Sequence, residues 1–115
     1  MIGNLPFCVS ELEIFLSDKY GKDAQFLVMV IDTMIWFHRW YGYKTIRISS
    51  SRLAALINNK YGYTLKFEQI GYFLKILIKE GVIEKVVQGQ SGIHTGIANG
   101  YEFRQWRRPC GTEME

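Results

Sequence analysis

Lys66, Glu68, Gln69, Tyr72, Lys75 and Lys79 fall on one side of a helical spacing. The other side carries Phe67, Ile70, Phe73, Leu74, Leu77 and Ile78 at the three-and-four intervals of an amphipathic helix. Such a polar face is equipped to hydrogen-bond and to neutralise charge, not to transform a substrate. An amide such as Gln69 matches the donor–acceptor edge of adenine, and Lys75 and Lys79 suit phosphate or guanine. Glu68 would repel phosphate or accept from cytosine. Tyr72 and Ile76 are the large apolar members expected to face outward.

A second polar group follows. Gln88, Gln90, Ser91, His94 and Thr95 are interspersed with Gly89, Gly92, Gly96 and Gly100. Glycines let a backbone approach closely, and small polar side chains contact phosphate or the minor groove without demanding a sequence. His94 reads as an exposed loop residue, and Arg104, Arg107 and Arg108 as clamps on a phosphate backbone flanking the loop. Ser50 and Arg52, at the start of an earlier helix, complete the expected contact set.

No comparable set exists for catalysis. The chain holds no nucleophile–base pair, paired carboxylate, phosphate-cradling glycine loop or metal-ligand spacing, so neither an enzyme nor a cofactor is expected. Asp32 and His38 read as rim or hydrogen-bonded core residues. Cys8 and Cys110 lack CxxC or His-x-His company, which argues against zinc. They lie near opposite ends of a small domain; both stay reduced in a mesophilic cytosol, and a bridge becomes plausible in a hyperthermophilic archaeal one.

Charge points the same way as the polar faces. Met1 to Tyr43 has three basic residues against five acidic, whereas Lys44 to Arg108 has eleven against four, within a net charge of +3. One continuous positive segment implies an anionic partner. The longest apolar stretch, Phe26 to Ile31, is broken by Asp32 and falls short of the roughly 20 residues that cross a bilayer. With no signal-peptide pattern at the start, the expectation is a cytoplasmic protein without a membrane partner.

At 115 residues, 48% hydrophobic and 22% charged, the chain has the size and balance of one domain. Ser10 is the expected cap of a helix to Tyr20, stopped by Gly21, and Asp23 that of a stronger helix from Ala24 to about Trp40. Thr45-Ile46-Arg47-Ile48 alternates as a short strand. Three serines, Ser49 to Ser51, offer caps for a helix through Leu53, Leu56 and Ile57. Thr64 is the expected cap of the helix described first, which Gly81 ends. Val82 to Gln88 and Tyr101 to Trp106 read as a hairpin around the glycine-rich loop. The predicted fold is α+β: an extension over 1–22, a core over 23–106 and a tail over 107–115.

The run Ile48-Ser-Ser-Ser-Arg-Leu-Ala-Ala-Leu-Ile57, and the run Phe67 to Val86 with Leu74, Leu77, Gly81, Val82 and Ile83 at its core, resemble a winged helix-turn-helix domain. The likeness covers Asp23 to Trp106 and is similar in size to compact archaeal and archaeal-virus regulators. It implies a transcription regulator that puts the 66–80 helix in the major groove of duplex DNA and the 88–100 wing on the backbone or minor groove. A viral source would place it in a host cytoplasm. One departure stands out: nine residues, Asn58 to Lys66, separate Ile57 from Phe67, where such domains use a turn of about 3–4. The same architecture also serves as a protein-interaction module, the alternative reading.

The 24–40 helix is apolar around its whole axis, so it must be covered on two sides. Either the 10–20 helix supplies the second cover or a second copy does. A homodimer through Phe26, Met29, Trp36, Phe37 and Trp40 is the expectation, since aromatics and Met are enriched in such contacts.

Overall fold

The computed structural model describes residues 5–89 and 98–108. Its fold is α+β. Helices α1 (Val9–Tyr20) and α2 (Ala24–Tyr41) are joined by a single 3-10 turn over Gly21–Asp23, and the short strand β1 (Ile46–Arg47) follows. Then come α3 (Ser50–Tyr61), α4 (Phe67–Lys79), β2 (Ile83–Val87) and β3 (Gly100–Phe103). The three strands form an antiparallel sheet in the order β1-β3-β2. Among the described residues no helix is long and apolar enough to cross a membrane.

Element identities follow the hydrophobic periods, and the ends do not always follow the expected caps. Ser49 does cap α3, its hydroxyl accepting from the Arg52 amide at 3.1 Å. Ser10 does not cap α1; that position belongs to Cys8, and Ser10 lies inside the helix. Asp23 precedes α2 in an already helical conformation with no side-chain bond. Thr64 is also displaced, because α4 starts after Lys66. There the Gln69 carbonyl accepts the Lys66 amide at 2.8 Å, which is the reciprocal half of a capping box.

The nine-residue gap between α3 and α4 closes to five residues, Gly62 to Lys66, because α3 continues through Tyr61. Gly62 ends α3 with φ +77°, a left-handed conformation that favours glycine. Asn58 then staples the turn. Its amide donates to the Leu65 carbonyl at 3.0 Å, and its carbonyl accepts the Leu65 N–H at 2.8 Å.

The core gathers Leu27, Val30, Ile31 and Met34 of α2 with Leu53 and Ile57 of α3 and Ile70, Leu74 and Leu77 of α4. Helix α1 packs on α2 and adds Leu12 and Leu16, both fully buried. The second side of α2 is therefore covered within the chain. β3 is shorter than expected: past Phe103 the chain turns, and Trp106 is buried with its ring 5.4 Å from Phe15 of α1. Gly100 sits where the three strands meet. A Cβ there would lie 2.9 Å from Val87 Cβ and 3.0 Å from Thr45 Cγ2, closer than packed atoms tolerate.

Candidate nucleic-acid interface

Helix α4 presents Glu68, Gln69, Tyr72, Lys75 and Lys79 to solvent, with Lys66 exposed just before it. The expected polar face is present as one stripe. Two assignments on this helix change. Phe67, expected inside, is 54% exposed, because the helix begins at that residue and its first turn overhangs the core. Ile76, expected outside, is buried beside Leu77, on the face of α4 that leads to Glu80. Lys75 and Lys79 take part in no ion pair among the described residues.

The opposite end of α4 is anchored by Glu80. Its buried carboxylate pairs with Lys19 at 2.8 Å and accepts the Tyr20 hydroxyl, tying the end of α1 to the end of α4. Burial would raise the Glu80 carboxyl, but the hydrogen bonds from Lys19 and Tyr20 and the lysine charges hold it below the usual carboxylate range. Burial, then the bond to Glu80, pushes the Tyr20 phenol up to about 12.

At the α3 entrance Arg52 is exposed and Ser50 is half-buried. The hairpin separates the remaining calls. Gln90, Ser91, His94 and Thr95 lie outside the described residues, as does Cys110 and with it the Cys8–Cys110 pairing. The neck of their loop is clasped by Asn99, whose carbonyl accepts the Gly89 N–H at 2.6 Å while its amide reaches the Tyr101 hydroxyl at 3.3 Å.

The arginines lie away from Gly89 and Ala98, the described residues on either side of that segment. Arg104 follows β3 at the far end of the hairpin, about 13 Å of extended chain from Gly100, and is ion-paired with Glu84. Arg108 reaches Asp18 of α1 at 3.4 Å. Arg107 is exposed beside it. Sequence reasoning missed two cations at the Gly100 end of the sheet. Arg47 on β1 is exposed and pairs in register with Gly100, and Lys85 on β2 is exposed one ladder step away, opposite Tyr101. Alternation on β1, with Ile46 buried, was the available signal for Arg47.

Family models, curated proteins and solved structures yield no match to this chain. A concavity of about 500 Å³ between α1 and α2 is lined by Glu13, Asp32 and Lys22, among others. Burial, and then the charge of Glu13, pushes the Asp32 carboxyl up, an electrostatic setting hostile to anions.

The expected dimer residues are split by the structure. Phe26 stacks on Phe73 at 5.6 Å and meets Tyr63 edge-on at 5.3 Å. Met29 and Phe37 are half-buried against the chain's own core. Trp36 and Trp40 stay open, at 43% and 72% exposure.

Proposed function

We propose that the chain is a duplex-DNA-binding protein of winged-helix type, acting as a transcription regulator. Helix α4 enters the major groove, and the β2–β3 hairpin meets the backbone or minor groove. The observation that carries this reading is the solvent-facing stripe Tyr72, Lys75 and Lys79 on a helix held by the Asn58-stapled turn. The strand order β1-β3-β2 after α2 and around the α3–α4 pair supports the same layout. Arg47 and Lys85 join the contact set at the loop end of the hairpin, and Arg104 drops to a lesser role because Glu84 neutralises it.

Binding to random duplex DNA by anisotropy should weaken steeply as salt rises, because each phosphate contact releases a counterion. Lys79→Ala should weaken all sequences alike and lower the salt slope by about one. Absence of binding at low salt overturns the reading. Phe67 and Tyr72, each 54% exposed near the start of α4, favour a protein-interaction module instead, and that class then leads. Burial of α2 does not call for a second copy, since α1 already packs on it.

A further inference from the structure

The C-terminal end of α2 carries a ring cluster that the duplex reading does not use. Trp36 meets Tyr41 edge-on at 5.3 Å, and Tyr41 stacks on Tyr43 at 5.3 Å with their planes 17° apart. Trp40 projects alone and is 72% exposed, while Tyr41 and Tyr43 are 54% and 48% exposed. The arrangement is built in advance. Gly42 turns the chain with φ +68°, and His38 Nδ1–H donates to the Tyr43 carbonyl at 2.8 Å, which returns Tyr43 onto Tyr41. Exposing several large rings in one place is costly unless something stacks on them.

Charge names the occupant. The sequence from Thr33 to Phe67 contains no Asp or Glu, and Arg39, Lys44 and Arg47 within it are all exposed. None of the three forms an ion pair among the described residues. The one carboxylate bonded within this stretch, Glu102 from β3, accepts the Thr45 hydroxyl at 2.6 Å among the described residues. A second copy across a two-fold axis would set this cation-rich patch against itself. Unpaired bases offer flat faces for the rings and phosphates for the cations.

We propose that Trp40, Tyr41 and Tyr43, with Arg39 and Lys44, form a stacking site for single-stranded nucleic acid. Tyr43 is at most roughly 14 Å of extended backbone from Arg47, so a single strand held at Arg47 reaches the rings within a few nucleotides. This goes beyond the duplex reading and stands without it.

Labelled oligothymidylate and a blunt duplex, titrated in parallel by anisotropy, separate the two. Wild type should bind the oligothymidylate at low salt and quench its exposed tryptophan emission. Trp40→Ala should weaken that binding about tenfold or more, with Tyr43→Ala acting in the same direction, and Trp40→Phe should recover most of it. All three variants should bind the blunt duplex as wild type does. Loss of duplex binding alone would refute the previous proposal and leave this one standing. Equal oligothymidylate affinity for wild type and Trp40→Ala, or no binding at all, overturns this one. So does a doubled mass by light scattering that Trp40→Ala returns to 13.4 kDa without any oligothymidylate binding, which would give the rings to a second copy.

Discussion

In the folded chain the Gln69 carbonyl is taken up by the Lys66 amide, so a side chain expected to read a base first serves its own helix. Gln69→Ala should therefore cost about 0.5–2 kcal/mol in urea denaturation, as loss of a helix cap does. Gln69→Glu keeps the acceptor and should restore stability, while its added negative charge beside Glu68 should lower duplex affinity. If both variants match wild type in stability, the cap contributes nothing. Tyr20 and Glu80 make a second residue-scale case, with opposite signs at the two ends of the pH scale. The Glu80 carboxyl lies low in the folded chain, so its contribution is present above the ordinary carboxylate pKa and fades as acid protonates it. The Tyr20 phenol lies at about 12, so its contribution is full below the ordinary phenol pKa near 10 and is lost as pH rises toward 12. Tyr20→Phe should remove that alkaline slope in melts taken across pH 9–12. At neutral pH it should cost about 1.5–3 kcal/mol for a hydrogen bond to a charged group. An unchanged alkaline slope would place the titrating group elsewhere.

Among the elements, the turn between α3 and α4 decides how α4 is presented. Asn58 makes both side-chain hydrogen bonds from α3 to Leu65 in this turn. Asn58→Ala leaves the Leu65 N–H and C=O without these partners and should cost about 1–3 kcal/mol. Because α4 then loses its fixed entry angle, duplex affinity should fall even after correction for the unfolded fraction. Hydrogen exchange confined to residues 58–67, with Lys75 and Lys79 untouched, would be the direct readout. Wild-type exchange rates there would sink the idea.

On the scale of the whole molecule, α1 belongs to the same core as the rest. Leu12 and Leu16 are fully buried against α2, Phe15 packs on Trp106, and the Lys19–Tyr20–Glu80 contacts reach the end of α4. Leu16→Ala should cost about 2–5 kcal/mol, the range for opening a cavity in a packed core. Removing residues 1–22 strips a whole side of α2 and should yield a chain that melts without a cooperative transition or self-associates. A shortened chain over 23–115 that melts as sharply as the full one would show that α1 is dispensable.

Much of this architecture is legible in the residues themselves. The periods of Leu27 to Ile35 and Ile70 to Leu77, the Ser49 cap, and the glycine stops at Gly42 and Gly62 each express a local preference that tertiary contacts reinforce. The polar stripe of α4 follows from the same period. What the sequence could not decide depends on contacts between residues far apart in the chain. Ile76 and Phe67 exchange inside and outside because burial depends on which parts of the folded chain lie over each, and the helical period does not carry that. Arg104 and Arg108 lose their expected freedom because Glu84 and Asp18 happen to lie within reach. The nine-residue gap becomes a five-residue turn because Asn58 can close on Leu65. Whether α2 needed a partner was likewise beyond any helical period, since a period tells which faces are apolar and never which element covers them; only the docking of α1 supplied that answer.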